Sequence, residues 1–335
     1  MMHMPAPRPR SPGRPKELCF GPAKHGPVAV RFGQRPALTG FERELVLRAC
    51  PRGTRILKAR YFQHHAYPCP VRVTVLHPDG LIRDLVLRGI RHRMGRLERE
   101  TALYPVLARL GLPVPAILAG PARDPSGRGG SRVVLNVLPG ETLQHLSMQG
   151  PRAIKKARDL LLEAILWLHR ITPKVEADRA CRVVPRGSLA QHLRTILRRR
   201  GRWMDEELYS RAAKQLMPAL ARIRTPLVFS NGDYQPGNFL AADGKLTGIL
   251  DFEYAWFEDP LYGFTKYPIY DLAPLNRAGV VEAYLRKRGM TKRDFAPRLA
   301  LACLATLDRE VPVSRGSGRY RGHIIRLLNE SLKGL

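Results

Sequence analysis

Asp233, Asn238 and Asp251 are three oxygen-bearing side chains that lie within one short stretch of the sequence. The apolar run 227–229 leads into a polar turn that carries Asp233 and, five residues later, Asn238. An Asp-Gly turn within residues 239–250 indicates a hairpin whose second strand delivers Asp251. Such side chains at the ends of paired strands could position Mg²⁺ and a hydroxyl group for phosphoryl transfer. The alternative is a hairpin whose Asp and Asn only cap turns.

The same stretch resembles the aminoglycoside phosphotransferase and choline kinase family. The resemblance rests on Asn-Gly-Asp-Tyr-Gln-Pro-Gly-Asn at 231–238, Ile-Leu-Asp-Phe-Glu at 249–253 and Glu-Asp-Pro at 258–260. Family members usually read His-Gly-Asp-Leu-His-Pro-Gly-Asn, Ile-Asp-Trp-Glu and Gly-Asp-Pro. The positions that agree are Asp233, Pro236, Gly237, Asn238, Asp251 and Pro260, and those that depart are Asn231, Gln235 and Phe252.

The resemblance implies an α+β, two-lobed protein-kinase-like fold. Its small N-lobe would have an antiparallel sheet and one helix, and its larger C-lobe would be mainly helical with catalytic hairpins. The implied donor is ATP or another nucleoside triphosphate. Asp233 would deprotonate the acceptor hydroxyl, and Asn238 and Asp251 would coordinate Mg²⁺ on the nucleotide phosphates.

A basic side chain for the phosphates is expected at the end of strand 81–88, where Arg88 stands at the family's Lys or Arg position. Glu100 shares a predicted helix face with Leu103 and Leu107, which would turn it towards the core. A buried carboxylate needs a partner, and Arg88 is the natural candidate. The alternative is a plain surface arginine on an edge strand.

The adenine site is expected at the hinge between the lobes. Strand 132–138 is followed by Pro-Gly-Glu, and the resemblance implies that backbone groups around Asn136 and Leu138 hold the adenine. The loop 61–70, which should cover the phosphates, contains no glycine. Close approach of backbone amides is harder when every residue has a Cβ atom, so this loop favours a second class, a degenerate kinase fold without turnover.

Three segments are predicted: a basic, Pro-rich flexible tail at 1–36, an N-lobe at 37–138 and a C-lobe at 139–335. The tail has too little apolar surface to offset the entropy of ordering. Pro105 is expected to kink or end the helix that carries Glu100. Elements of the N-lobe are predicted as strands 54–60, 71–77, 81–88, 116–119 and 132–138. C-lobe helices are predicted from Pro151 and at 188–200, 205–223, 276–289, 291–308 and 319–333.

The net charge of +29, from 57 Lys and Arg against 28 Asp and Glu, is the unusual global property. The arginines are scattered and no aromatic stacking platform accompanies them, so we favour a solvated surface over nucleic-acid binding. Five widely spaced cysteines indicate neither a disulfide framework nor a zinc site. The absence of a signal peptide or a membrane span of about 20 apolar residues predicts a cytoplasmic protein.

The leading functional prediction is an ATP- and Mg²⁺-dependent kinase for a small aminoglycoside-, choline- or sugar-like hydroxyl acceptor. The stretch 251–259 carries four carboxylates and no Lys or Arg, which fits a divalent metal and a cationic acceptor. The alternatives are a degenerate kinase fold that binds nucleotide or a partner, and a basic nucleic-acid-binding protein.

Overall fold

The computed structural model describes residues 29–30, 35–62, 65–66, 70–90, 97–125, 130–199, 206–310 and 317–335. Most of the predicted tail at 1–36, and residues 63–64 and 67–69 of the glycine-free loop 61–70, lie outside these ranges. Within the described ranges, every helix is too short or too polar to cross a membrane.

The N-terminal half is built around an antiparallel sheet. Its elements are β1 (Ala29–Val30), α1 (Gly40–Arg48), β2 (Arg55–Tyr61), β3 (His65–Ala66), β4 (Val71–Leu76), β5 (Ile82–Ile90), α2 (Leu97–Arg109), β6 (Ile117–Arg123) and β7 (Ser131–Asn136). Five of the strands pair in the order β2-β4-β5-β7-β6. Val71, Val73 and Val75 are buried on one face of β4, and Arg72 on the other face is exposed, whereas Thr74 beside it is buried and donates to Asp84.

Helix α1 is fixed at its start by a capping box. The Glu42 N–H donates to Thr39 Oγ1 at 3.1 Å, and the Thr39 N–H donates to Glu42 Oε2 at 3.0 Å. The other carboxylate oxygen of Glu42 accepts from Nε of Arg132 on β7 at 2.8 Å. One glutamate therefore caps the helix and ties it to the sheet.

Pro105 was expected to kink or end helix α2; the helix runs through it to Arg109, so of these two outcomes the ending is wrong. Pro105 is exposed, whereas the flanking Tyr104 and Val106 are buried. Pro105 has no N–H to donate to the carbonyl of Thr101 one turn earlier, and the packing of the buried face holds the helix together.

The C-terminal half is mainly helical. Its elements are β8 (Glu141–Thr142), α3 (Leu143–Ser147), α4 (Pro151–Arg170), α5 (Thr172–Ala177), α6 (Leu189–Arg199), α7 (Glu206–Ala221), β9 (Val228–Ser230), β10 (Phe239–Ala242), β11 (Lys245–Ile249), β12 (Trp256–Glu258), α8 (Lys266–Tyr270), α9 (Val280–Lys287), α10 (Lys292–Glu310) and α11 (Ser317–Lys333). Short 3₁₀ turns lie at Arg179–Val183, Pro236–Asn238 and Tyr262–Thr265.

Two small antiparallel sheets carry the polar motif. The hairpin β10–β11 is joined by β8, and β9 pairs with β12. Helix α4 packs against both sheets through a stripe that includes Ala157, Leu161, Ile165 and Leu168, all fully buried. The core beneath the motif continues into the N-terminal half through buried residues of α2 and β7. The motif is therefore placed on a rigid base next to the N-terminal sheet.

Candidate active site

The loop after β9 holds Asp233 by its backbone. Nδ2 of the buried Asn231 donates to the carbonyl oxygen of Asp233 at 3.0 Å, and Oδ1 of Asn231 accepts from the Asp233 N–H at 3.2 Å. Nδ2 of Asn238 donates to the same carbonyl at 3.1 Å. Two asparagine side chains thus fix the backbone from which the Asp233 carboxylate projects. Asn231, which departs from the family motif, acts here as a backbone clamp.

Gly232 allows this loop to pass close to another chain segment. Its φ of 78° is left-handed, and a Cβ atom added there would lie 2.1 Å from the carbonyl oxygen of Tyr254. Any larger residue would force the loop away from Tyr254, so both conformation and space require glycine.

The Asp233 carboxylate contacts a lysine that the sequence did not place in the site. Nζ of Lys266 lies 2.7 Å from Asp233 Oδ1, and the Gln235 N–H donates to the same oxygen at 3.2 Å. Lys266 is the first basic residue after the stretch 251–259, which is the only signal that the sequence offers. Spacing could not predict the contact, because the two residues belong to separate elements.

Asp251 follows β11 and is brought next to the same loop. The Leu250 N–H donates to the carbonyl oxygen of Asn238 at 2.8 Å, which ties the end of the hairpin to the loop. Asp251 has a left-handed φ of 61°, which Asp adopts more readily than most residues. The three residues singled out by spacing, Asp233, Asn238 and Asp251, therefore lie on two segments joined by hydrogen bonds.

The donor chemistry of this cluster fits Mg²⁺. Because Nδ2 of Asn238 is used as a donor to Asp233, the amide oxygen of Asn238 faces away from that bond. Asp251 adds a carboxylate that is 25% exposed. In the described part of the chain, no group of three or more His, Cys, Asp or Glu side chains could hold a metal. An ion here would therefore take further oxygens from water and phosphate, as Mg²⁺ does at nucleotide sites.

Arg88 lies at the centre of the acidic side chains. Its Nε donates to Glu100 at 2.8 Å, and its Nη2 donates to Asp251 at 2.7 Å and lies 3.7 Å from Glu253. Burial acts to lower the pKa of Arg88, but the carboxylates of Glu100 and Asp251 outweigh it and hold that pKa well above its ordinary value. Arg88 is therefore a permanent cation that joins the N-terminal sheet to the segment after the hairpin β10–β11.

Glu100 is fully buried on α2 and faces Arg88, as the helix periodicity predicted. Burial raises the pKa of Glu100, and the positive charge of Arg88 opposes that rise. Tyr104, one turn further along α2, donates its hydroxyl to the second carboxylate oxygen. Glu98 points elsewhere and accepts from the Ser131 hydroxyl at 3.1 Å. Both oxygens of Glu100 are thus satisfied, which a buried carboxylate requires.

The predicted adenine-binding residues lie at the end of β7. The Asn136 N–H donates to the carbonyl oxygen of Ala116 at 3.2 Å, and its side-chain oxygen accepts from the Ala116 N–H at 2.7 Å. Asn136 is therefore engaged within the protein through both its amide N–H and its side chain. The Leu138 side chain packs close to Gly248 of the hairpin, since a Cβ atom added to Gly248 would lie 3.0 Å from it.

A buried histidine packs beneath the loop after β9, which carries Asp233 and Tyr234. The two ring nitrogens of His169 on α4 contact the hydroxyls of Tyr234, at 2.9 Å, and of Tyr284, at 3.2 Å. Burial lowers the pKa of His169 to about 3, so the ring is neutral and donates from one nitrogen while accepting at the other. His169 is thus placed as a support for Tyr234, the residue after Asp233.

Glu258 stands where the family motif has glycine, and its side chain is buried on β12. Burial raises its pKa to about 7, opposed by hydrogen bonds from Ser230 and Trp256. Oε1 of Glu258 has no hydrogen-bond partner among the described residues. The group is therefore neutral in slightly acidic solution and becomes a costly buried charge above neutral pH.

The carboxylates of the acidic stretch 251–259 are mostly paired or buried within the protein. Two of its carboxylates face Arg88, and Glu258 is buried. Asp259 is also buried and forms two hydrogen bonds with Arg298, at 3.1 and 2.7 Å. The charge that favoured a cationic acceptor in the sequence is thus largely balanced by arginines that reach this stretch from elsewhere in the chain.

Comparisons with known proteins agree with this architecture. In solved structures, a thermostable mutant of aminoglycoside phosphotransferase APH(4)-Ia in a ternary complex with AMP-PNP and hygromycin B is similar with a TM-score of 0.62. Its identity is 14%, over 88% of this chain and 99% of that chain. The GDP and kanamycin complex of APH(2")-IIia is similar with a TM-score of 0.60 and 18% identity, over 88% and 98% of the chains. These likenesses confirm the predicted kinase-like fold.

Sequence comparison carries the assignment further. A search of curated proteins found no match. The family model described as the phosphotransferase enzyme family matches residues 71–301, which is well over half of the chain and contains β4, Arg88 and the whole catalytic motif. The chain therefore belongs to the phosphotransferase enzyme family.

Proposed function

We propose that the protein transfers the γ-phosphoryl group of ATP to a hydroxyl of a small molecule, with Mg²⁺ as cofactor. The observation that carries the proposal is the clustering of Asp233, Asn238 and Asp251 on two hydrogen-bonded segments beside the Arg88–Glu100 pair. A general base, two metal-binding oxygens and a held cation are the parts that phosphoryl transfer uses.

Asp233 takes the proton of the acceptor hydroxyl in this proposal. The acceptor oxygen forms a bond to the γ-phosphorus, the bond from that phosphorus to the bridging oxygen breaks, and its electron pair leaves with the nucleoside diphosphate. Oδ1 of Asp233 is held by Lys266 and Gln235. Oδ2 accepts no hydrogen bond from the described residues, so it is the oxygen suited to receive the proton.

Asn238 and Asp251 would hold Mg²⁺, which supplies positive charge to the phosphate oxygens. Arg88 offers a planar guanidinium to the same phosphates, and Glu100 fixes its direction. Leu138 and the backbone beside Asn136 remain the proposed adenine contacts. We retain residues 37–138 and 139–335 as the two proposed lobes, with the nucleotide held between them.

A second candidate, nucleotide binding without turnover, is favoured by one observation. Arg88 and Lys266 already contact Asp251 and Asp233, each at 2.7 Å. In a site of this kind the carboxylates are already paired with cations of the protein, which disfavours metal binding and proton transfer. Turnover separates the two candidates, since both expect nucleotide to bind.

The acceptor is proposed as a small hydroxyl compound without a required positive charge. The similar structures contain hygromycin B or kanamycin, so such aminoglycosides belong in any screen. The internal pairing of the acidic stretch gives no reason to restrict the screen to them. A useful panel includes cationic, neutral and anionic alcohols, each tested with ATP and with GTP.

The experiment is a γ-phosphate transfer assay of the wild type, Asp233→Asn and Asp243→Asn. Asp233→Asn is expected to lower kcat by roughly 10²- to 10⁴-fold, because the general base is lost, while nucleotide affinity is unchanged. Asp243 is exposed in the β10–β11 turn and serves as the matched control. Turnover by Asp233→Asn at the wild-type rate would contradict the role of Asp233. Nucleotide binding by a wild type that phosphorylates no acceptor would favour the second candidate.

A further inference from the structure

We propose that Lys266 is a positioning residue for the catalytic base: it holds one oxygen of Asp233 so that the other faces the acceptor. The inference rests on the proposed function, because it assigns a task in the same reaction. Its starting point is the contact of 2.7 Å between Lys266 Nζ and Asp233 Oδ1.

The segment that carries Lys266 is packed against the catalytic loop. The hydroxyl of the neighbouring Tyr267, which is fully buried, donates to the carbonyl oxygen of Tyr234 at 2.8 Å. A Cβ atom added to Gly263 would lie 2.6 Å from the Tyr234 ring, so the two segments are in tight contact there as well. Lys266 is therefore held beside Asp233 by its neighbours and does not reach it only by side-chain flexibility.

The surroundings distinguish this contact from an ordinary surface ion pair. The side chains of Lys266 and Asp233 are 28% and 17% exposed. Lys266 Nζ also lies 3.4 Å from the carbonyl oxygen of Gly232, in the turn that precedes Asp233. Lys266 opens α8, where a positive charge gains nothing from the helix dipole. Its position is thus explained by the loop that it contacts and not by the helix to which it belongs.

The geometry gives the two oxygens of Asp233 different tasks. Oδ1 receives both the Lys266 ammonium and the Gln235 N–H. Rotation of the carboxylate would break both contacts, so Oδ2 keeps a fixed direction. In the transfer step, the acceptor proton moves to Oδ2 while the acceptor oxygen bonds to phosphorus and the diphosphate leaves with the electrons of the broken bond.

The test compares Lys266→Met, Lys266→Gln and Lys266→Arg with wild type, and uses Lys292→Met as the control. Lys292 is an exposed lysine 3.7 Å from Glu282, far from the catalytic loop in the sequence. Lys266→Met is expected to lower kcat by roughly 10- to 100-fold, because small misplacements of a reacting group cost about that much. KM for the nucleotide should stay within about threefold if Lys266 acts on Asp233 and not on nucleotide binding. Lys266→Arg should recover part of kcat, and Lys292→Met should match wild type.

A double variant makes the test specific. If Lys266 acts through Asp233, adding Lys266→Met to Asp233→Asn should lower kcat no further than Asp233→Asn alone. If the fold losses of kcat in the two single variants multiply in the double variant, the two residues act independently and the inference is wrong. Wild-type kcat in Lys266→Met would also overturn it, and in both cases the proposed function stands. If urea titration shows no cooperative unfolding transition for Lys266→Met, that variant is not folded. Lys266→Gln, which keeps a neutral hydrogen-bond donor, then replaces it in the cycle. A wild type without any transfer activity would instead remove the proposed function and this inference with it.

Discussion

Arg88 lies between three carboxylates, and two of them come from the C-terminal half of the molecule. With 17% of its side chain exposed, it is far more enclosed than the surface pair between Arg72 and Asp84, where the arginine is 53% exposed. Removing one partner of a buried pair leaves a charge that neither water nor protein satisfies. That loss is larger than the loss of an exposed ion pair.

We therefore predict that Arg88→Ala lowers the free energy of unfolding by about 3–5 kcal/mol. The double variant Arg88→Ala/Glu100→Ala should lose less than the sum of the two single losses, since it removes both members of the pair. Urea unfolding of the four proteins measures the coupling. ATP titration of the same proteins should show weaker binding in both single variants.

The matched control is the same cycle on Arg72 and Asp84, for which a coupling below about 1 kcal/mol is expected. Additive losses at Arg88 and Glu100, together with unchanged ATP affinity, would show that another cation serves the phosphates.

Some contacts between side chains could be predicted from the sequence, and others could not. The pairing of Arg88 with Glu100 was predictable, because strand and helix periodicities indicated which way each side chain points. The contacts of Lys266 with Asp233 and of Arg298 with Asp259 were not. Each joins residues from separate elements, and no local pattern encodes how those elements pack. Roles for the predicted site residues stay predictions until variants are measured.

At the scale of elements, β9 and β12 bring a titratable group under the catalytic loop. Glu258 on β12 is paired with Val228 on β9 and is hydrogen-bonded to the side chain of Ser230. Lys266, Asp259 and Tyr234 are the charged and titratable groups that act on it. Its pKa is raised from 4.5 to about 7 when folded. The folded state thus holds a proton that the unfolded state releases, and stability falls as pH rises from about 4.5 to about 7.

We predict that Glu258→Gln gains stability relative to wild type as pH rises through this window. The difference should grow by on the order of 3 kcal/mol, since one pKa unit corresponds to about 1.4 kcal/mol. Urea unfolding of both proteins between pH 4.5 and 8 measures it. The buried His169 has the opposite effect: its lowered pKa makes the protein less stable as pH falls from 6.5 towards 3. Because His169 is present in both proteins, its contribution cancels in the difference between them. A difference that does not change with pH would place the titration elsewhere.

The elements themselves were largely predictable. Alternation in 71–76 and the apolar stripe of α4 each follow from one period, so the strand and the helix were found near their observed bounds. The helix does not end at Pro105, because the packing of its buried face compensates for the backbone hydrogen bond that proline removes. That balance depends on tertiary contacts, which a local rule does not contain.

At the scale of the whole molecule, the net charge of +29 does not reflect the candidate site, where arginines are paired with carboxylates. Arginines on the surface govern solubility and attraction to polyanions. Arginines at the site, such as Arg88 and Arg298, are instead bound to buried carboxylates. Family membership, and not net charge, therefore favours a phosphotransferase fold over a basic nucleic-acid-binding protein, and turnover separates the active enzyme from the degenerate kinase fold.

We predict that Mg-ATP stabilises the whole molecule and that Asp251→Asn removes this effect. A ligand that binds only the folded state raises stability by about 2.7 kcal/mol at one hundred times its Kd. Thermal melts of wild type, Asp251→Asn and the control Asp243→Asn, each with ATP in the presence of Mg²⁺ or EDTA, measure the shift. Wild type and control should show a Mg²⁺-dependent shift. An equal shift in Asp251→Asn would place the metal at other residues.

The left-handed backbone at Asp251 also bears on which sequences evolution can sample there. With φ at 61°, glycine, asparagine and aspartate are the residues that fit without strain. In a randomised library, selection for a folded protein alone should recover these three, whereas selection for transfer should recover aspartate only. If Asp251 holds the metal as proposed, a change from Asp to Asn abolishes transfer with a residue type that this backbone accepts, although it removes the charge that faces Arg88. Loss of activity in a lineage can therefore happen in a single step that the backbone conformation does not oppose.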